Sequence, residues 1–268
     1  MPTTAVITGA GSGLGRAFAV QLALPGARLL LADIDAAGCE ETAQICRARG
    51  AEPHVTRVDV AEAAQVEQLG ADADRVLGRI DLVINNAGVA VSGAVGEVPL
   101  DDWRWIVGIN LWGAIHGCHV FTPRLLAQRG GGILNVASAA GIACAPTMGP
   151  YNVTKAGVIA LSETLAAEVT QHGVRVTVLC PVFFPTNIVA AARGPAAQRA
   201  QAAAALANSR FTAEQVAAAA LRANQRGELY CLPMREARLV WWLKRLVPQL
   251  FHQKLAAARL ARMSRQAQ

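Results

Sequence analysis

The segment TGAGSGLG, at residues 8–15, decides the fold of this chain. It follows a short apolar run at residues 5–8 and opens a helical pattern near residues 14–24. A glycine at position 9 allows a sharp turn, and glycines at 13 and 15 let a backbone approach a pyrophosphate and let the helix pack on the sheet. The helix start adds unpaired N–H groups for the phosphates. The segment predicts a dinucleotide-binding turn; the alternative is a purely structural strand–turn–helix connection.

Apolar runs and helical patterns alternate along the chain. We predict strands at residues 5–8, 28–32, 54–58, 82–85, 132–137 and 175–179, and helices near 14–24, 36–49, 62–78, 101–128 and 151–171. Such alternation is typical of a parallel sheet, and continuously apolar strands indicate helices on both of its faces. The predicted fold class is α/β, a Rossmann-type doubly wound parallel sheet with a C-terminal helical extension. The alanine-rich stretch 190–207 is either a helix or a mobile segment, broken at Gly194 and Pro195.

The positive charge of the chain lies at its C-terminal end. The net charge is +6, yet residues 1–233 hold 17 Lys and Arg against 18 Asp and Glu, whereas residues 234–268 hold 8 against 1. A nearly neutral body is a poor binder of a phosphate backbone, so we predict no nucleic-acid partner.

Six cysteines are scattered through apolar surroundings, without a C-x-x-C spacing. This pattern predicts reduced thiols and no metal site. The N-terminus lacks a signal-peptide pattern, and no stretch is apolar over the ~20 residues that cross a bilayer. We therefore expect a cytoplasmic protein.

An acidic residue ends the second predicted strand. Asp33 follows Gly15 by 18 residues, and Ile34, Asp35, Ala36 and Ala37 come next, without an arginine. A carboxylate there accepts hydrogen bonds from ribose hydroxyls and repels a 2′-phosphate. The sequence therefore favours NAD over NADP.

A tyrosine and a lysine stand four residues apart in YNVTK, residues 151–155. Lys155 is the one lysine among residues 1–233, beside 16 arginines. On a helix, Tyr151 and Lys155 share a face, and an ammonium near a phenol lowers its pKa. Ser138 ends the strand before this helix, where side chains point into a ligand crevice. Alone, Tyr151 and Lys155 favour the interpretation as an ordinary exposed helix pair.

Together these motifs resemble the short-chain dehydrogenase/reductase family over about residues 3–232. Three further stretches match family motifs: VDV at 58–60, NNAG at 85–88 and GINLWG at 108–113, which carries Asn110. The resemblance implies a catalytic domain at 1–233 and a basic amphipathic helical extension at 234–268. It also implies hydride transfer between an alcohol and a ketone, with Tyr151 as general acid or base.

The resemblance assigns roles to individual residues. Asn110, Ser138, Tyr151 and Lys155 form the catalytic tetrad, in which Asn110 supports a bound water and Ser138 binds the substrate oxygen. The cofactor contacts it implies are Gly9, Ser12, Gly13, Leu14, Gly15, Asp33, Asp59, Val60, Asn86, Ala87, Gly88, Tyr151, Lys155, Pro181, Phe184 and Thr186. Val182 stands where the family has glycine after the proline, which leaves the local loop shape open. An intact tetrad argues against the alternative function, a non-enzymatic NAD-sensing scaffold.

The segments expected to contact the substrate carry few charges. No charged residue lies between Ala139 and Asn152. We expect Ile142, Cys144, Met148 and Phe183 to line a pocket for an apolar secondary alcohol or ketone. The resemblance also implies a homodimer or homotetramer through the helices near 101–128 and 151–171.

The tail carries an amphipathic stripe of Leu239, Trp242, Leu243 and Leu246, and Pro248 separates it from a second helix that we expect to run to about Arg262. Three interpretations remain open. The helix packs on the body or across a subunit interface, lies on an anionic membrane surface, or binds nucleic acid, for which no motif is present.

Overall fold

Seven strands form the central sheet of the protein: β1 (Thr4–Thr8), β2 (Arg28–Asp33), β3 (Glu52–Arg57), β4 (Leu82–Asn85), β5 (Gly131–Val136), β6 (Val174–Leu179) and β7 (Tyr230–Cys231). The computed structural model describes residues 3–266, and side chains up to residue 257. All strand pairs are parallel, in the order β3-β2-β1-β4-β5-β6-β7. The order reverses between β1 and β4, the position where parallel α/β sheets bind ligands.

Eleven α-helices connect and flank the strands in the described residues. They are α1 (Gly13–Leu22), α2 (Ala36–Ala48), α3 (Ala63–Leu77), α4 (Leu100–Ile106), α5 (Gly113–Ala127), α6 (Ala139–Ala143), α7 (Gly149–Val169), α8 (Ala196–Ala207), α9 (Ala213–Gln225), α10 (Arg235–Leu246) and α11 (Pro248–Gln266). The α/β prediction is confirmed, and the helix within the alanine-rich stretch begins after Pro195, at the predicted break. The helix predicted at 101–128 is instead α4 and α5 joined by a π-helical segment, Val107–Trp112.

The core has one apolar layer on each face of the sheet. Every residue of β1 and β4 is buried, because helices cover both sides. Helices α1, α2 and α9 pack on one face, and α3, α5 and α7 on the other. Phe18 and Phe121 are fully buried, one in each layer. Phe121 therefore belongs to the core and not to an exposed subunit face.

The six cysteines are free, and five of them are buried. Burial raises the pKa of Cys39 to about 12 and of Cys118 to about 11, so these thiols stay protonated and unreactive. They act as small apolar core residues, as their surroundings predict.

The turn between β1 and α1 depends on two glycines in contact. Gly9 has φ +67°, and a Cβ on Gly15 would lie 1.9 Å from the Gly9 carbonyl oxygen. The Asn86 amide, after β4, donates to the carbonyls of Thr8 (2.9 Å) and Gly9 (3.1 Å). The end of β1, the start of α1 and the end of β4 are thereby held together.

The C-terminal extension begins inside the core. Met234 and Ala237 are buried, α10 packs against α6, and α11 contacts α10. Between residues 3 and 266, no helix combines the length and apolarity needed to cross a bilayer. The same residues contain no cluster of His, Cys, Asp and Glu that could hold a metal ion.

Gly15→Ala tests the turn. The added methyl group must displace the Gly9 backbone, so we expect the free energy of unfolding to fall by about 1–3 kcal/mol, the usual cost of overpacking. Gly96→Ala is the control, because a Cβ there meets no atom within 4 Å. Equal stability of the two variants in urea unfolding would contradict the packing argument.

Candidate active site

A cavity of about 700 Å³ opens at the carboxyl ends of the strands. It runs from the glycine turn, past Tyr151, to α8 and α10. Most predicted cofactor residues line it: Gly9, Ser12, Gly13, Leu14, Asp33, Asp59, Val60, Asn86, Ala87, Gly88, Tyr151, Lys155, Pro181, Phe184 and Thr186. Gly15 does not line it, because its role is the close contact with Gly9.

Both carboxylate oxygens of Asp33 are oriented by backbone N–H groups. Oδ2 accepts from Gly11 (2.8 Å), and Oδ1 accepts from Asp35 (3.0 Å). These bonds fix the carboxylate at the edge of the cavity. Gly11 was not predicted as a site residue, although it lies within the quoted glycine segment.

Arg16 is the arginine nearest the glycine turn in sequence. Its guanidinium donates to the Gly11 carbonyl (2.6 Å), the Thr42 hydroxyl (3.0 Å) and Glu41 Oε2 (2.8 Å). The side chain joins the turn to α2 and does not line the cavity.

The π-helical segment places Asn110 beneath the cavity. The side chain is buried, its Oδ1 accepts from the Val89 N–H (2.8 Å), and its Nδ2 donates to the Val89 carbonyl (2.9 Å) and the Thr154 hydroxyl (3.3 Å). Asn110 therefore fixes the chain that follows β4 against α7. Single π-helical turns within α-helices are frequent at functional sites.

Ser138 and Tyr151 meet inside the cavity. Ser138 caps α6, its Oγ accepting from the Ala140 N–H (3.1 Å). The pKa of Tyr151 is raised to about 12, because burial raises it by more than a hydrogen bond with the Ser138 side chain lowers it. The protein thus holds a phenol and a hydroxyl side by side.

Lys155 is 3 % exposed, and its ammonium donates to the Val136 carbonyl at the end of β5 (2.7 Å). Burial lowers its pKa to about 8. Its Nζ lies 5.7 Å from the centre of the Tyr151 ring. Burial is the largest influence on the pKa of the phenol, and the lowering of that pKa by Lys155 stays a prediction.

The segment after β6 is joined to the extension. The Val182 N–H donates to Met234 Sδ (3.0 Å), and Thr186 Oγ1 accepts from the Ile188 N–H (3.4 Å). Pro181, Val182, Phe183 and Phe184 all line the cavity. Valine at position 182 is thus accommodated in a chain that reaches both the cavity and Met234.

Two of the four predicted substrate residues lie elsewhere. Met148 and Phe183 line the cavity, but Ile142 is buried against α7 and Cys144 ends α6 in a left-handed conformation. Lys244 of α10 donates to the Ile142 carbonyl (2.6 Å) and lies 3.2 Å from Cys144 Sγ. The prediction that these two side chains line the pocket is wrong, since a short helix turns them away from it.

A lid formed by residues 187–209 covers the substrate end. Its Arg193 pairs with the chain after β4: the Arg193 N–H donates to Ala90 (3.0 Å), and the Ser92 N–H donates to Arg193 (3.0 Å). The Arg193 guanidinium also bonds Asp102 (3.0 Å) and lies 3.8 Å from the Trp105 ring centre. Ala202 and Leu206 of α8 line the cavity beneath the lid.

The same arrangement of motifs occurs in proteins of known family. The family model described as "short chain dehydrogenase" matches residues 3–197 of this chain. The chain belongs to the short-chain dehydrogenase family. The Mycobacterium tuberculosis protein SadH is 38 % identical over 189 residues, which cover 69 % of this chain and 67 % of that protein. The M. tuberculosis protein EphD is 36 % identical, and the match spans only 32 % of its length.

Two solved structures extend the likeness to most of the chain. A short-chain dehydrogenase/reductase from Burkholderia phymatum, in complex with NAD, has a TM-score of 0.87 and 36 % identity, covering 92 % of this chain and 94 % of that one. A short-chain dehydrogenase from Sphingobium yanoikuyae, in complex with NADPH, has a TM-score of 0.76 and 25 % identity, covering 98 % and 95 %.

The residues that the extension and the lid bring to this dehydrogenase's cavity were not predicted from the sequence. Glu236, Ala237 and Val240 of α10 line it, together with Ala202 and Leu206. Glu236 and Val240 stand four residues apart, a helical spacing that could have indicated a second functional side of α10.

Buried Lys155 predicts a pH-dependent stability. Its pKa is about 8 in the folded chain, below the ordinary 10.5, so the unfolded chain binds more protons between these values. Lys155 therefore opposes folding most at low pH, and this penalty shrinks as pH rises. Between about pH 7.5 and about pH 9.5 the change is about 2 kcal/mol.

Urea unfolding of wild type and Lys155→Met at both pH values measures this contribution, because groups remote from Lys155 titrate alike in both. We expect wild type to gain stability relative to Lys155→Met as pH rises. An identical pH dependence would show that the ammonium is not desolvated in the folded protein.

Proposed function

We propose that this short-chain dehydrogenase transfers a hydride between an apolar secondary alcohol and its ketone, with NAD preferred as cofactor and Tyr151 as general acid or base. The supporting observation is that Ser138, Tyr151 and Lys155 line the same cavity as the glycine turn and Asp33. A purely NAD-sensing scaffold has no use for a buried phenol, hydroxyl and ammonium at one place.

The residues present fit a dinucleotide. Gly9 and Gly13 have positive φ and expose backbone to the cavity, and α1 directs its first N–H groups there. When bound, a nicotinamide cofactor supplies or accepts the hydride. The glycine turn, Asp33 at the end of β2 and the cavity beyond them support this fit.

Each tetrad residue acts through its own contacts. Tyr151 donates its phenolic proton to a substrate carbonyl oxygen in reduction and accepts the alcohol proton in oxidation. The Ser138 hydroxyl hydrogen-bonds the same oxygen as charge develops. Lys155 keeps its ammonium beneath the Tyr151 ring. Asn110 hydrogen-bonds Val89 and Thr154, and this holds α7 so that it presents the Tyr151 and Lys155 side chains to the cavity.

The preference for NAD rests on the charge at the end of β2. The Asp33 carboxylate is fixed by two N–H groups. Arg16, the arginine nearest the glycine turn in sequence, is already bonded to Gly11, Thr42 and Glu41. A 2′-phosphate there would face the negative charge of Asp33. Among the solved relatives, the B. phymatum protein was solved with NAD and the S. yanoikuyae protein with NADPH, so the proposed preference rests on Asp33.

We further propose a homo-oligomer in the cytoplasm, built from a catalytic domain at 1–233 and the extension at 234–268. Trp112 and Val153 are exposed apolar side chains on the helical face that the family resemblance assigns to dimer contacts. Free buried cysteines are typical of a reducing compartment.

Tyr151→Phe tests the mechanism. It removes the transferable proton and keeps the ring, so we expect kcat to fall by about 10²–10⁴-fold while the cofactor still binds. Cofactor fluorescence titration and turnover of a panel of apolar ketones measure the two quantities. Unchanged turnover would refute Tyr151 as acid or base.

Asp33→Asn tests the cofactor preference. Loss of the charge removes repulsion of a 2′-phosphate, so we expect the NAD-to-NADP ratio of kcat/KM to fall by about tenfold. Asp35→Asn is the control, because Asp35 caps α2 two residues away and does not line the cavity. A wild-type enzyme that prefers NADP would contradict the role of Asp33.

A further inference from the structure

An exposed apolar surface runs along α10 and the start of α11. We call it the tail face, and it consists of Leu239, Trp242, Leu243, Leu246, Val247 and Leu250. Leu246 is 70 % exposed and Trp242 is 56 % exposed. A contiguous exposed apolar surface of this kind marks an interaction site.

The other side of α10 is fixed to the body. Ala237 is fully buried, Val240 lines the substrate cavity, and Trp241 packs edge-on against Tyr230. Lys244 donates to the Ile142 carbonyl (2.6 Å). The tail face is therefore held in place and directed outward, and it is not an unpacked end of the chain.

Charge distinguishes the partners that could cover the tail face. Arg235 and Arg238 lie beside it and are exposed, whereas Arg245 pairs with Glu163 of the body (3.3 Å). Residues 234–268 carry 8 Lys and Arg against 1 acidic residue, whereas the body is balanced. A second copy that met this surface through its own tail face would bring like charges together, whereas an anionic lipid surface attracts them.

We propose that the tail face docks on an anionic lipid surface and that α10 thereby places the substrate cavity at that surface. An apolar face bordered by basic residues is the pattern of helices that lie in a membrane interface. The same helix supplies Glu236, Ala237 and Val240 to the cavity. The enzyme would then take an apolar alcohol or ketone that partitions into the bilayer, a substrate class that rests on the proposed function.

Vesicle sedimentation with the full chain tests docking. We expect binding to vesicles that contain phosphatidylglycerol, at least about tenfold weaker binding to phosphatidylcholine alone, and weakening by salt. Leu246→Glu inserts a charge into the tail face and should lower binding by about tenfold or more. Leu24→Glu is the matched control, because Leu24 is 62 % exposed on the body, and it should bind as wild type does.

Trp242 reports on contact with the lipid. Vesicles with brominated acyl chains should quench part of the tryptophan fluorescence of wild type, and Trp242→Phe should lose that quenching. Equal vesicle binding by Leu246→Glu and wild type, or equal fluorescence quenching of Trp242→Phe and wild type, would overturn the proposal. If wild type does not bind vesicles and Leu246→Glu dissociates an oligomer in light scattering, the proposal is overturned and the tail face is a subunit interface.

Activity measurements separate docking from catalysis. With a water-soluble ketone, Leu246→Glu should turn over as wild type does, because no tail-face residue lies at the reacting atoms. With a long-chain ketone carried in anionic vesicles, its kcat/KM should fall by about tenfold through KM. A wild type inactive on both ketones that still binds vesicles would reject the proposed function and leave docking in place. An equal kcat/KM of wild type and Leu246→Glu for the long-chain ketone in vesicles would reject the proposed substrate class.

Discussion

The absence of a side chain at position 15 is the constraint on which the site depends. A Cβ there would lie 1.9 Å from the Gly9 carbonyl oxygen, so α1 can begin against the end of β1 only because residue 15 is glycine. The Asn86 amide donates to the same carbonyl from the end of β4. Three elements thus meet at the point where the strand order reverses, and the crevice between β1 and β4 lies beside that contact.

Burial sets the chemistry of the residues around that crevice. The Lys155 ammonium and the Tyr151 phenol both lie away from water, and burial shifts both pKa values toward their uncharged forms. Burial therefore favours the protonated phenol of Tyr151, while Asn110 and the Val136 carbonyl fix the helix that carries it.

Local patterns were sufficient for the sheet and for the cofactor end of the site. The six longer strands agree with prediction to within a few residues, because all but the edge strand β3 are largely apolar runs between turn signals. The seventh, Tyr230–Cys231, was missed because two residues carry no periodicity. Ile142 and Cys144 were misplaced since the short helix α6 ends in a left-handed cap at Cys144, which redirects the chain. The spacing of Glu236 and Val240 places both on one side of α10, but the long-range packing of α10 on α6 decides that this side meets the cavity.

The pairing of Arg193 with Ala90 and Ser92 has a kinetic consequence. Movement of the lid must break two backbone hydrogen bonds together with the contacts of the guanidinium to Asp102 and Trp105. Such a group of bonds opens as one unit, and gating motions of this kind set turnover in many enzymes. Asp102 and Trp105 lie on α4, ahead of the π-helical segment, so the contacts that hold the lid end on a helix of the body. A ligand enclosed beneath the lid would leave only when this whole group of contacts breaks.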